Sequence, residues 1–282
     1  MKETTKRHNV DISIIVAIYK DIESLDLILK SLAEQTYQKN FEIIVAEDGE
    51  DEEVKTFITS LPYTNIVHTT QEDLGWRKNK SLNNAIKHSS GQLLIFLDGD
   101  CIPYSTLIEN YDLQASEKTV LCGRRVELGE HYSTNLRKQK LNIQEIEMNY
   151  LKHYFKMQKD KTRHYEEGIK LNSFFHKLKY RKKTSHILGC NFALNKKDIL
   201  EINGFNEDYN SPSVGEDTDI EYRLTLNGCS MKPTRNLTNI LHLYHKVTYN
   251  QQDNISSNEV FKPIQEKKEI ICKNGIIKKK IN

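Results

Sequence analysis

The stretch Leu93-Leu94-Ile95-Phe96-Leu97-Asp98-Gly99-Asp100 constrains this chain more than any other. Its apolar residues run without a break and stop at two aspartates separated by a glycine. A short apolar run that follows a turn signal, here Gly91, reads as a strand covered on both faces, as in a parallel sheet between helix layers. The aspartates then stand at the carboxyl end of a buried strand, where open α/β sheets bind ligands. Two carboxylates this close repel each other unless a cation or basic groups lie between them. Hard oxygen ligands suit Mg2+ or Mn2+, ions that also hold substrate phosphates. The same residues would also make an ordinary Asp-Gly turn.

Similar signals recur around this run. Asp11 to Ile18 and Phe41 to Ala46 are β-branched apolar runs and read as strands, the second ending in Glu47-Asp48-Gly49. Between them Ser24 is expected to cap a helix that carries Leu25, Ile28, Leu29 and Leu32 on one face. Asp51 to Ser60 and Lys78 to His88 read as helices, and Asn65 to His68 and Thr119 to Cys122 as strands. A further helix is expected over Tyr104 to Ser116, starting just after Pro103. Strands alternating with helices at this pace predict an α/β fold with a mostly parallel sheet and right-handed connections.

After Gly123-Arg124-Arg125 the character changes. A helical, basic insert of about residues 127–185 is rich in Lys, Tyr, Phe and His. Two readings stay open for it: a solvated subdomain over the sheet edge, or contact with an anionic membrane surface or lipid-linked acceptor. Order returns at His186 to Leu194. Gly215-Glu216-Asp217-Thr218-Asp219 then opens a helix, and Asn239 to Leu243 is a last strand flanked by His242 and His245. The chain thus divides into a main domain, 1–250, and a polar extension, 251–282, read as either a docking helix or disordered.

Bulk properties narrow the class. Basic and acidic residues number 41 and 39, so no global field marks a nucleic-acid binder. The 5 cysteines are scattered with no CxxC pair, which argues against a disulfide framework or zinc site and fits a reducing cytosol. No apolar run is long enough to cross a bilayer, and residues 1–9 lack the apolar core of a signal peptide. A cytoplasmic location is expected, with any membrane contact peripheral, through the basic insert or the tail.

The order of motifs resembles the family 2 glycosyltransferases with the GT-A fold, in which a Rossmann-like sheet is flanked by helices. Asp11 to Tyr19 looks like that family's opening strand, Glu42 to Gly49 like its second strand and acidic turn, and Leu93 to Asp100 like the strand ending in its DxD motif. Asn203-Gly204-Phe205-Asn206-Glu207 and Gly215-Glu216-Asp217 resemble the NGFDE and GED segments of bacterial chondroitin-polymerase-like and β-1,4-galactosyltransferase-like members.

The resemblance implies a UDP-sugar donor, a divalent cation and direct transfer to a hydroxyl. Asp98 and Asp100 would anchor the cation, Asp98 also lying near the ribose. A late histidine would be a third ligand: His245, with His242 as second choice. Two imidazoles and two carboxylates suit Mn2+ better than Mg2+. Asp48 would contact the base, with Glu47, Ala17 and Tyr19 lining its pocket. Arg77 and Lys80, at a helix start, are read as neutralising the diphosphate. Asp217 would take the proton from the acceptor hydroxyl and Glu216 would hold the acceptor. With no nucleophile opposite, that implies one displacement with inversion. The donor sugar is expected to be a hexose or N-acetylhexosamine. The acceptor is a glycan or lipid-linked saccharide, and the setting bacterial surface polysaccharide synthesis. Two alternatives are a sugar-phosphate nucleotidyltransferase and an inactive nucleotide- or glycan-binding module. The first normally has a glycine-rich loop near its amino terminus, which is missing after Ile18.

Overall fold

The computed structural model describes residues 10–212, 215–246 and 251–278. In chain order the first half contains β1 (Ile12–Ile18), α1 (Ile22–Ala33), β2 (Phe41–Glu47), α2 (Glu52–Ser60), β3 (Ile66–Thr69), α3 (Lys78–His88) and β4 (Leu93–Asp98). Then come β5 (Cys101–Pro103), α4 (Leu107–Gln114), β6 (Thr119–Cys122) and β7 (Val126–Glu127). The insert holds α5 (Glu130–Arg137), α6 (Ile143–Met148), α7 (Tyr150–Lys159) and α8 (Ser173–Tyr180). The chain continues through β8 (Asn191–Asn195), α9 (Lys196–Glu201), α10 (Gly215–Leu226), β9 (Ser230–Pro233), β10 (Ile240–His242) and α11 (Gln251–Lys267).

Seven strands form the main sheet in the order β3-β2-β1-β4-β8-β6-β9. All neighbours are parallel except at β8, which runs antiparallel to both β4 and β6. The apolar runs are continuous because successive side chains enter different cores. Leu93, Ile95 and Leu97 join one buried cluster, while Leu94 and Phe96 join the other. Phe96 stacks on Phe192 of β8 with ring centroids 4.7 Å apart, which ties the parallel half to the antiparallel strand.

A small second sheet, β5-β10-β7, lies past the end of β4. It corrects the expected helix from Tyr104. Residues 101–103 pair antiparallel with β10, the Tyr104 N–H donates to Asn239 O at 3.0 Å, and the helix starts only at Leu107. The cap of α1 is also displaced from Ser24. Asp21 takes that role, accepting from the Ser24 N–H at 3.0 Å and from its hydroxyl at 2.6 Å, because Ser24 is buried inside the first turn.

The insert contributes to the core. Tyr132, Leu136, Ile146, Tyr150 and Met157 are buried in the cluster that covers one face of β1. The tail packs too. The Asn203 side-chain amide donates to Cys272 O and Ile277 O, each at 2.9 Å, and Tyr222 of α10 meets Phe261 of α11 edge-on. Among the described residues no helix is long and apolar enough to cross a membrane.

Candidate active site

The carboxyl ends of β1, β2 and β4 and the start of α3 border a cleft of about 580 Å3, lined by residues that include Ala17, Tyr19, Asp48, Trp76 and Lys78. Asp98, Asp100 and His245 complete one wall. Gly99 allows the turn between the aspartates to press against β1, since a Cβ there would stand 2.7 Å from Ala17 O.

The two aspartates face different partners. Asp98 Oδ1 lies 2.6 Å from Lys78 Nζ. Asp100 Oδ2 lies 3.2 Å from His242 Nε2 and 3.2 Å from His245 Nε2. The small sheet makes this possible: His242 pairs with Cys101 in register, and the Leu243 N–H donates to Asp100 O at 2.9 Å. Burial works against the charge on Asp100, but its hydrogen bonds to both imidazoles outweigh this and hold the carboxyl well below its usual range. The same bond pushes His245 up to about 9. One ligand atom from each of Asp100, His242 and His245 falls within 4.8 Å of the others, a set able to hold a divalent cation. Asp98, expected in that set, stands outside it on Lys78.

Lys78 is the cation the sequence reading passed over. Burial opposes its charge, but Asp98, Glu216 and Asp217 surround it and raise its pKa. Arg77 and Lys80, the cations expected at the diphosphate, lie elsewhere. The Arg77 guanidinium turns back to Glu72 O while its backbone N–H donates to Asp48 Oδ2 at 2.6 Å. Lys80 is exposed and outside the cleft lining. Two residues on from Lys78, it points roughly 200° around the helix.

Glu47 is a second correction. It is buried, accepting from the Asp51 N–H at 2.8 Å and lying 2.7 Å from His68 Nε2, and it does not line the cleft. Strand alternation sends it away from its neighbour Asp48, which does. Asp48 also accepts from Gln71 Nε2 at 2.6 Å, so it holds the loop before α3 as well as bordering the cleft. Tyr19 is half-exposed, its hydroxyl 3.3 Å from Asp73.

Glu216 and Asp217 open α10. Burial and the neighbouring Asp217 charge push Glu216 up to about 8, and its buried Oε2 has no hydrogen-bond partner among the described residues. Burial also raises Asp217, against the pull of Lys78 and of the Gly189 N–H, which donates to Asp217 Oδ2 at 2.8 Å. Gly189 leaves room for this carboxylate: a Cβ would stand 2.3 Å from Asp217 Oδ1 and force that side chain to move. Asp219, in contrast, is committed to the fold. It pairs with the fully buried Arg223 at 2.6 Å.

This sheet, with its acidic strand end and a nearby carboxylate pair, defines a GT-A glycosyltransferase. Residues 13–202 match glycosyl transferase family 2, and the chain belongs to that family. Residues 170–246 match a second family, described as the N-terminal domain of galactosyltransferase. The chain is similar to chondroitin synthase of Pasteurella multocida, 25% identical over 237 residues that cover 78% of this chain and 23% of that protein. It is also similar to glycosyltransferase AglE of Haloferax volcanii, 32% identical over 101 residues covering 35% of this chain and 33% of that one. The matches thus span a third or less of these relatives. Among solved structures, mannosyltransferase PcManGT from Pyrobaculum calidifontis with GDP-Man and Mn2+ superposes with a TM-score of 0.55 at 14% identity, covering 86% of this chain and 59% of that one. S. aureus TarS with UDP-GlcNAc gives 0.56 at 16%, covering 85% and 60%.

Proposed function

We propose that this glycosyltransferase moves a hexose or N-acetylhexosamine from a UDP-sugar to a hydroxyl of a glycan or lipid-linked acceptor, with inversion at the anomeric carbon. One observation carries the reading. Lys78, which lines the cleft, lies 2.6 Å from the strand-end aspartate Asp98, and the Glu216 and Asp217 charges act on it as well, which relates donor-side and base-side groups. A hexose or N-acetylhexosamine donor with UDP is supported by likeness to chondroitin synthase and to TarS with UDP-GlcNAc. Likeness to a bacterial chondroitin synthase supports a role in polysaccharide synthesis, which we place at the bacterial surface.

In this reading Asp48, Ala17 and Tyr19 border the base, and Lys78 meets the diphosphate. Asp100, His242 and His245 would hold Mn2+, or Mg2+, and the mixed carboxylate and imidazole donors favour Mn2+. When bound, that ion supplies stabilisation of the negative charge that develops on the departing diphosphate. Asp217, drawn towards its charged form by Lys78 and the Gly189 N–H, accepts the proton of the acceptor hydroxyl. Glu216, neutral near pH 7, donates a hydrogen bond to the acceptor. A single base with no opposed nucleophile corresponds to one displacement and inversion. We place the enzyme in the cytoplasm, consistent with its 5 free cysteines. Peripheral membrane contact is supported by Phe174, Phe175 and Leu178, exposed on α8 among lysines.

Calorimetric titration with UDP, with and without Mn2+, tests this. Binding should require the cation and disappear in Asp100→Ala. UDP binding that is equal in Mn2+ and in EDTA would refute it.

A further inference from the structure

A second, larger cavity meets the donor cleft at the histidine cluster. This groove, of about 1190 Å3, runs from His242 and His245 past β7 and the start of α5 to the end of α7. It exceeds the roughly 300–1,000 Å3 of a small-molecule site, so it has room for several sugar units. Its walls carry more basic than acidic side chains, Arg125, Lys159, Lys161, Arg163 and Lys246 against Glu127, Glu130 and Asp160. Glu127 is taken up by Arg125 at 2.9 Å and Arg163 at 2.5 Å. Asp160 accepts from the His131 and Tyr132 N–H groups, at 3.1 and 2.9 Å. Lys159, Lys161 and Lys246 also line the groove and make no ion pair among the described residues, with Glu130 and Asp160 as the remaining anions of the lining. Tyr244, 43% exposed, adds a flat ring with a hydroxyl on the same surface.

The groove also leads to the reacting groups. His245 lines both cavities, and Arg125, on the groove wall, has its Nη1 3.5 Å from the sulfur of Cys190, the residue after Gly189, whose N–H donates to Asp217 Oδ2 at 2.8 Å. Resting on the function proposed above, we infer that this groove is the acceptor site and that the acceptor is anionic. Its phosphate or carboxylate groups lie within a few sugar units of the hydroxyl that reacts. A neutral glycan would desolvate these lysines without return, whereas an anionic one gains charge-assisted hydrogen bonds and steered approach.

The full chain, with UDP and Mn2+ present, is titrated with two charged probes and the neutral twin of each. The first pair is farnesyl-diphosphate-linked N-acetylglucosamine and farnesyl N-acetylglucosaminide. The second is an unsulfated chondroitin hexasaccharide and its carboxyl-reduced form. At least one charged probe should bind about tenfold or more tightly than its twin, and the preference should shrink with added salt. The variant K159S/K161N should reduce it to about threefold or less, asparagine being chosen because Lys161 has φ 57°. Preference for the diphosphate probe alone identifies a lipid-linked phosphate; preference for the hexasaccharide alone identifies carboxylates along the glycan. Equal affinity within both pairs, no binding of either charged probe, or an undiminished preference in the variant overturns the inference. UDP titration of the wild type separates the two readings. Failure there counts against the donor site, whereas intact UDP binding without charge preference counts only against the anionic acceptor.

Discussion

Replacing Lys78 with methionine keeps the aliphatic stem and removes a charge that pairs with Asp98 and acts on Glu216 and Asp217. Lys78 Nζ is 2.6 Å from Asp98 Oδ1, with 22% and 28% of the two side chains exposed. A hydrogen bond to a charged group is worth roughly 1.5–3 kcal/mol, and this residual exposure argues for the lower half of that range. If Lys78 makes an equivalent contact with the donor diphosphate, Lys78→Met should weaken UDP binding roughly 10- to 45-fold. A second effect has a definite sign. Lys78 pulls the Asp217 and Glu216 pKa values down against burial. Without it Asp217 ionises only at higher pH, so the acid limb of the kcat/KM profile moves upward. Calorimetry with UDP and Mn2+ measures the first effect, and initial rates across pH measure the second. Arg77→Met and Lys80→Met, whose side chains lie outside the cleft, should each change UDP affinity less than about threefold. Near-wild-type UDP affinity in Lys78→Met, or a larger loss in Lys80→Met, would refute this reasoning.

Asp217→Asn can retain the bond from the Gly189 N–H through its side-chain carbonyl, so it should lower kcat about 10²- to 10⁴-fold while sparing UDP affinity; turnover within a few-fold of wild type rules Asp217 out as the base. Gly189→Ala should act through Asp217, since the added Cβ would stand 2.3 Å from its Oδ1. Turnover should fall with Mn2+-dependent UDP binding intact, and unchanged turnover would contradict the contact. Glu216, ordinarily near 4.5 and pushed up to about 8, contributes stability that is full below its ordinary pKa and lost as pH rises through about 8. Glu216→Gln should flatten the fall in Tm across that window, and thermal melts showing the wild-type slope would count against a buried neutral Glu216.

The strands and the helices between them were legible because each of β1, β2 and β4 is covered on both faces and so reads as an unbroken apolar run. The acidic turn after β4 was legible because that run stops there. What escaped depends on rotation and on distant partners. A shift of one residue at the start of α3 decides which of Arg77, Lys78 and Lys80 faces the cleft. That rotation is set by the Arg77 N–H bond to Asp48, a contact no local pattern reports. Glu47 and Asp48 look equivalent in sequence, yet strand alternation lets only one reach the ligand side. β5 is three residues long and exists because β10, far along the chain, pairs with it. Gly189 was visible as a residue, but its reason is a side chain from α10.

The same pairings explain how a concentration of carboxylates is compatible with a folded chain. Asp98, Asp100, Glu216 and Asp217 would repel one another if all were charged and unpaired. The structure divides them: Asp98 goes to Lys78, Asp100 to two imidazoles, and Glu216 keeps its proton next to Asp217. Gly99 lets this division occur within two residues, since close packing of the turn on β1 lets the two aspartates splay towards different partners. A donor diphosphate arriving with a divalent cation brings charges of both signs. The diphosphate can engage Lys78 while the cation engages Asp100 and its histidines. In the proposed reaction, therefore, the ion pairs of the cleft are exchanged for ligand contacts rather than simply broken, which keeps the desolvation cost of binding low.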